Sequence, residues 1–178
     1  MTATHLSSIP RLRLQFSITE ISELAGRYSF EDDADVIRMG EVARIRGQFT
    51  KPEFVKICAW KTERSKRLVT ANSEADVEEA TRLALAARSE ALRIQIPMAL
   101  RGVSWATASV LLHLAHTDRY PIIDYRALEA LSVKKPPACT LSLWLAYVVK
   151  CRELASKANV DMRTLDRALW QWSKERSP

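Results

Sequence analysis

Apolar residues along this chain recur at intervals of three and four, which is the spacing of one face of an α-helix. Ile18, Ile21 and Leu24 give the first example. Ser17, directly before them, and Glu20, three residues later, have the spacing of a capping box. The β-branched residues do not alternate with polar ones, and only 4 glycines are present. The pattern therefore predicts an all-α fold.

Capping signals delimit the other predicted helices. An acidic cluster at 31–35 favours the start of a second helix that runs to about Gly47, and Thr50 begins a capping box for a third. A fourth helix begins after Asn72 or Ser73. The remaining predicted helices cover about 90–95, 98–116 with a turn at Gly102, 125–131, 140–157 and 161–175.

Composition narrows the class of protein. The chain has 178 residues, 47% of them apolar and 27% charged, which is typical of one globular domain and excludes a disordered chain. Its 27 Lys and Arg against 21 Asp and Glu give a net charge of +6, which favours a polyanionic partner. No apolar run approaches the ~20 residues that cross a bilayer. The first ten residues lack an export signal, so a cytoplasmic location is expected.

Residues 100–112 have the pattern of a helix-hairpin-helix. Gly102 would make the tight turn, Val103 would fill the space between the helices, and the small Ala108 would let them approach. Amide groups at the start of the second helix would then bind a phosphate without reading base sequence. An ordinary tight helical corner is the alternative.

Asp124 follows Ala106 by 18 residues and stands directly before a predicted helix, after the turn and extended segment 117–123. Together with the hairpin, this arrangement resembles the helix-hairpin-helix DNA glycosylases, which include endonuclease III and 3-methyladenine glycosylase. The resemblance implies a phosphate-binding hairpin at 102–108 and Asp124 as the catalytic carboxylate. The alternative for Asp124 is a helix N-cap only.

Three departures from the family pattern limit the chemistry. Ser104 replaces the usual second glycine of the hairpin, although it is able to cap the following helix. Ala106 stands where bifunctional members carry their Schiff-base lysine, so strand cleavage by that route is not expected. The four-cysteine loop of an iron–sulfur cluster is missing, and His113 and His116 lack a third ligand. We therefore predict no metal and no other cofactor.

Two further groups of residues are assigned to DNA by their place in the sequence. For each, the alternative is a core or solvated side chain, and the other tryptophans, at 144, 170 and 172, are expected in the core. The predicted base pocket comprises Trp60, Lys61, Arg64, Tyr125 and Arg126. The predicted phosphate contacts are Arg101, Gly102, Val103, Ser104, Trp105, Ala106, Thr107, Arg119, Lys134 and Lys135.

The resemblance implies a single bilobed domain over 1–178. A central lobe at about 31–123 carries the hairpin at 98–112, a second lobe combines about 15–30 with 124–178, and DNA lies in the cleft between them. The expected function is a monofunctional DNA glycosylase acting as a monomer on double-stranded DNA that contains a damaged or modified base, in repair or in defence against modified phage DNA. A bulky modified pyrimidine and an alkylated purine are both open as substrates. The alternatives are a non-catalytic DNA-binding module and an all-α interaction protein whose hairpin is only a corner.

Overall fold

A computed structural model describes residues 10–29, 32–133 and 138–176. Every regular element in these ranges is helical, which confirms the all-α prediction. Short 3-10 turns at Ile18–Glu20, Glu63–Ser65 and Ile96–Ala99 join some of the helices. The α-helices are α1 Ile21–Gly26, α2 Ala34–Arg46, α3 Lys51–Lys61, α4 Lys66–Thr70, α5 Glu74–Ala86, α6 Glu90–Gln95, α7 Trp105–Ala115, α8 Tyr125–Ala130, α9 Leu141–Ala158 and α10 Met162–Arg176.

Most helices begin where the capping signals predict. Ser17 N donates to Glu20 Oε2 at 2.7 Å, and Thr50 N donates to Glu53 Oε2 at 2.9 Å. Helix ends follow local signals as well. Gly47, directly after α2, adopts a left-handed conformation with φ +85° and ends that helix. Local hydrogen bonding between neighbours in sequence thus sets these boundaries.

The region between α3 and α5 differs from the prediction. The sequence pattern did not reveal α4, because its basic stretch offers little helical periodicity, with only Leu68 and Val69 apolar. Val69 is fully buried, so tertiary packing stabilises this short helix. Ser73 caps α5, since its Oγ accepts a hydrogen bond from Asp76 N at 3.1 Å.

Helix α7 lies between two hydrophobic core clusters. Ala108 and Leu112 belong to the first cluster, whereas Val110 and Leu111 belong to the second. Seven of the 11 residues of α7 are buried, as expected for a helix that packs against neighbours on more than one side. The first cluster contains residues of α1, α6, α8, α9 and α10, and the second contains residues of α2, α3, α4 and α5.

A glycine allows α2 to approach α7 closely. A Cβ added to Gly40 would lie 2.5 Å from Leu114 Cβ and 2.6 Å from the Leu114 carbonyl oxygen. Real Cβ atoms do not come this near to another backbone, so any other residue would push the two helices apart. Gly40 therefore keeps the second core cluster closed.

We expect Gly40→Ala to lower the free energy of unfolding by roughly 1–3 kcal/mol, because α2 and α7 must separate to hold the added methyl group. Gly26→Ala is the matched control, since nothing lies within 4 Å of a Cβ added there. It should leave stability unchanged or slightly raised. Urea unfolding monitored by circular dichroism measures both variants, and equal stabilities would contradict the close-approach argument.

Within residues 10–29, 32–133 and 138–176, no helix combines the length and the apolar content required to cross a bilayer.

Candidate active site

The predicted hairpin turn packs against α4. Gly102 has φ +79°, a conformation that other residues rarely adopt. A Cβ at this position would lie 2.8 Å from Leu68 Cβ and 3.0 Å from Val69 Cγ1. Both the backbone angle and the lack of space therefore require glycine here.

Asn72 holds the other side of this turn. Arg101 N donates to Asn72 Oδ1 at 2.8 Å, and Asn72 Nδ2 donates to the carbonyls of Arg101 at 3.0 Å and Val69 at 2.9 Å. The sequence suggested Asn72 only as a helix cap. Its buried amide instead joins α4 to the hairpin through three hydrogen bonds, which fixes the turn.

The start of α7 leaves amide groups available. Ser104 is the N-cap, and its Oγ accepts from Thr107 N at 3.5 Å, so the serine at the position of the second glycine is accommodated as a cap. Within the described part of the chain, the backbone amides of Trp105 and Ala106 donate no hydrogen bond. A helix start with unsatisfied amides attracts anions.

The segment that leads to Asp124 is fixed by side chains from α7 and α9. His113 Nδ1 donates to the Tyr120 carbonyl at 2.6 Å, and the Tyr147 hydroxyl donates to the Ile122 carbonyl at 2.9 Å. Ser109 Oγ accepts from Ile123 N at 3.0 Å. Sequence analysis did not identify any of these anchoring roles.

Asp124 uses both carboxylate oxygens. Oδ1 accepts a hydrogen bond from Ala127 N at 2.8 Å, so the predicted N-cap of α8 is confirmed. Oδ2 forms an ion pair with Lys61 Nζ at 2.9 Å, and each side chain is 17% exposed. This pair joins the end of α3 to the start of α8, two points that are 63 residues apart in the sequence.

The same carboxylate lies in the wall of a pocket of about 490 Å³ that is lined by residues of α3, α7, α8 and α10 and of neighbouring loops. All five side chains assigned to the base pocket line it together with Asp124. Ser104 and Ala106, at the start of α7, also line it. The remaining wall consists of Tyr28, Thr62, Ile122, Arg163, Asp166 and Trp170.

The contribution of α10 to the pocket was missed. Trp170 was expected in the core, but it lines the pocket, where its ring contacts Tyr28 edge-on at a centroid distance of 5.2 Å. Arg163, Asp166 and Trp170 follow one another at intervals of three and four, so they share one helix face. That polar stripe on an amphipathic helix was the available signal.

Buried charges support this wall. Burial raises the pKa of the Asp166 carboxyl above its ordinary value, although the neighbouring Arg163 opposes the shift. Asp33, at the start of α2, is paired with both Arg163 and Arg167. Burial alone would raise the pKa of Asp33, but hydrogen bonds from the two arginines outweigh it and hold that pKa below its ordinary value.

The predicted phosphate contacts are only partly brought together. Arg101 is exposed at the hairpin, whereas Val103 is half-buried and Thr107 is buried. Arg119 lies apart, beside Arg152 at a separate depression of about 330 Å³. Lys134 and Lys135 fall outside the described residues.

A wider groove of about 960 Å³ runs along α3 and shares Trp60, Lys61 and Thr62 with the pocket. Its mixed acidic and basic lining does not include Asp124. Within the described ranges, no group of three or more His, Cys, Asp or Glu side chains is placed to hold a metal ion. The pocket beside Asp124 is therefore the better candidate for chemistry.

Comparisons of the chain with protein-family models, with curated proteins and with solved structures find no significant match.

His113 makes a testable link between pH and the site. Burial lowers its pKa from 6.5, and as a neutral ring it donates to the Tyr120 carbonyl. As the pH falls through about 6.5, His113 is therefore protonated in the unfolded chain but stays neutral in the folded protein. This contribution to stability is present above that pH and is lost as the pH falls below it.

We expect wild-type unfolding free energy to fall between about pH 7.5 and about pH 5.5, with His113 contributing on the order of 1 kcal/mol of the loss. His113→Asn keeps a hydrogen-bond donor but cannot titrate, so the unfolding free energy of this variant should fall less between the two pH values than that of the wild type. His116, whose pKa burial also lowers, accounts for part of the remainder. Urea unfolding at the two pH values tests this, and identical losses in the two proteins would contradict it.

Proposed function

We propose that this chain is a monofunctional DNA glycosylase that flips out a damaged or modified base and hydrolyses its N-glycosidic bond. The product is an abasic site, made in base-excision repair or in defence against modified foreign DNA. One observation carries the proposal: Asp124 lies in the wall of a pocket of about 490 Å³, large enough for a base, and the start of α7 lines the same pocket. A carboxylate, a pocket and an anion-binding helix start are the parts that this reaction needs.

The surface around the hairpin supports DNA binding. The amides of Trp105 and Ala106 lack acceptors within the described residues, and Arg101, four residues before α7, is exposed. With a net charge of +6, such a surface favours phosphates in any sequence context. We propose that the two core clusters correspond to two lobes and that duplex DNA lies across the cleft at the start of α7.

The pocket supports extrusion of a base. Four aromatic side chains line it, namely Tyr28 after α1, Trp60 of α3, Tyr125 of α8 and Trp170 of α10. An extruded base loses its stacking partners in the duplex, and aromatic rings in a pocket replace them. Polar and charged groups also line the pocket. This composition suits a ring that carries hydrogen-bonding groups at its edge.

The chemistry follows from the carboxylate. When the C1′–N bond breaks, its electron pair leaves with the base and the sugar becomes cationic. Asp124 stabilises that cation and orients a water molecule, whose oxygen then bonds to C1′. Ala106 leaves the start of α7 without an amine at the position of the Schiff-base lysine, and Lys61 is held in an ion pair with Asp124.

A non-catalytic DNA-binding module is the second candidate. The observation that favours it is the full engagement of Asp124, whose two oxygens are already held by Ala127 N and Lys61. A purely structural carboxylate would have the same contacts. The two candidates differ in whether removing the charge of Asp124 stops base release.

We expect Asp124→Asn to slow single-turnover base release at least about a hundredfold, since the charge facing the cationic sugar is lost. Asparagine also caps helices, so the stability cost comes mainly from the unpaired Lys61 and should be about 1–3 kcal/mol. Salt-sensitive DNA binding should persist. Rates, affinity and urea unfolding are measured on one preparation.

Asp161→Asn is the matched control. Asp161 caps α10 through a 2.7 Å hydrogen bond from Thr164 N and does not line the pocket. Because asparagine also caps helices, this variant should keep nearly wild-type stability and wild-type base release. If Asp124→Asn also releases base at the wild-type rate, its catalytic role is wrong, and DNA binding without base release by the wild type would favour the binding module.

A second test concerns strand cleavage. On a duplex whose base the protein releases, the strand should stay intact until alkali or heat breaks the abasic site, and borohydride should trap no covalent adduct. The reason is the missing amine at Ala106. An adduct that disappears in Lys61→Arg would instead make Lys61 a Schiff-base nucleophile and overturn the monofunctional assignment.

A further inference from the structure

The charges that line the pocket are predominantly positive. Lys61, Arg64, Arg126 and Arg163 oppose only Asp124 and Asp166. Both carboxylates are already paired, because Lys61 pairs with Asp124 and Arg163 pairs with Asp166, and Arg163 also pairs with Asp33 outside the pocket lining. Within the described residues, Arg64 and Arg126 form no ion pair with a carboxylate. A ligand in the pocket therefore meets an excess of positive charge.

The aromatic faces are already next to cations. The Arg163 guanidinium lies over the rings of Tyr28 at 5.2 Å and Trp60 at 5.6 Å. Arg126 lies over Tyr125 at 5.0 Å and Trp170 at 5.4 Å. A positively charged ligand would use these same ring faces, since cation–π attraction is what aromatic pockets offer to cations. Here it would also be repelled by the arginines.

Arg126 has a hydrogen-bond donor to spare. Its Nη1 is buried, and no atom of the described residues accepts a hydrogen bond from it. A buried donor without an acceptor is costly, so a ligand atom that accepts this bond is favoured. Because Arg126 lines the pocket, the carbonyl oxygen of a bound base is a suitable acceptor.

We infer that the pocket takes uncharged bases with ring carbonyl groups and excludes cationic alkylated purines, with Arg126 and Lys61 contacting the departing base. This inference rests on the proposed glycosylase function and names its substrate class. It decides between the two classes of substrate that the sequence left open.

The chemistry of bond breaking gives the same preference. An uncharged base leaves with the C1′–N electron pair and becomes an anion, which a guanidinium and an ammonium stabilise. Lys61 then gives a proton to the base, Asp124 takes one from the attacking water, and Asp124 returns it to Lys61 across their 2.9 Å contact. A cationic base becomes neutral on leaving, so the same groups add nothing to its rate.

The wild-type protein is tested by mass spectrometry of released bases. The uncharged substrates are duplexes containing uracil, 5-hydroxymethyluracil, hypoxanthine or 8-oxoguanine, and phage DNA that carries glucosylated hydroxymethylcytosine. The cationic substrates are 7-methylguanine and 3-methyladenine in methylated DNA, with their spontaneous loss subtracted. We expect release of at least one uncharged base and no enzymatic release of the methylated purines.

The outcomes separate the inference from the function on which it rests. Enzymatic release of either methylated purine overturns the inference and leaves the glycosylase proposal standing. Release of no base from any of these DNAs overturns both.

Variants of Arg126 test the contact itself. Arg126→Gln should slow release of the uncharged base tenfold or more, and Arg126→Lys should regain part of the rate because it restores a cationic donor. Arg176→Gln is the matched control, since Arg176 lies over the Trp172 ring at 4.5 Å but does not line the pocket. Wild-type release by Arg126→Gln, or loss of rate in Arg126→Lys equal to that in Arg126→Gln, overturns the assigned role of Arg126.

Discussion

The packing of α7 between two hydrophobic clusters is the constraint on which the rest of the structure depends. Because one helix serves two hydrophobic clusters, its neighbours must approach it from opposite sides, and α2 does so over the bare Cα of Gly40. Polar groups on such a helix have little access to water, so they need partners in the protein. Ser109 and His113 find theirs in the backbone of the segment before Asp124. The packing of the core thereby fixes the position of the candidate catalytic carboxylate.

Ion pairs then join elements that the cores alone do not connect. Lys61 brings the end of α3 to the start of α8, while Asp33 links the start of α2 to two arginines of α10. The interactions are only partly exposed, so solvent screens them less than ordinary surface pairs. The walls of the pocket come from helices of both clusters, α3 from the second and α8 and α10 from the first, and without these ion pairs the walls would be free to move apart. Charged contacts across the pocket give it a defined shape, whereas its positive character comes from Arg64 and Arg126, which form no ion pair within the described residues.

The sequence predicted those features that depend on neighbours along the chain. Helical periodicity and capping boxes located most helices, and Asp before an apolar run predicted the N-cap at Asp124. The pattern did not show α4, which is stabilised by burial of Val69, or the clamp that Asn72 forms on Arg101. It also assigned Trp170 to the core. Such features depend on contacts between distant segments, and neither spacing nor residue type specifies which segments meet.

In the free protein, both carboxylate oxygens of Asp124 already have partners, which affects how a site of this kind would work. A carboxylate held by Ala127 N and Lys61 has a fixed orientation, so little reorganisation is needed when positive charge develops on a sugar. Its contact with Lys61 cannot be retained unchanged if the ammonium also approaches the departing base. The two demands are compatible because the helix cap uses one oxygen and the ion pair uses the other. In the proposed mechanism, helix α8 would hold Asp124 in place, and the Lys61 ammonium, at the end of a flexible side chain, would move to the base and return to Asp124 for the proton transfer.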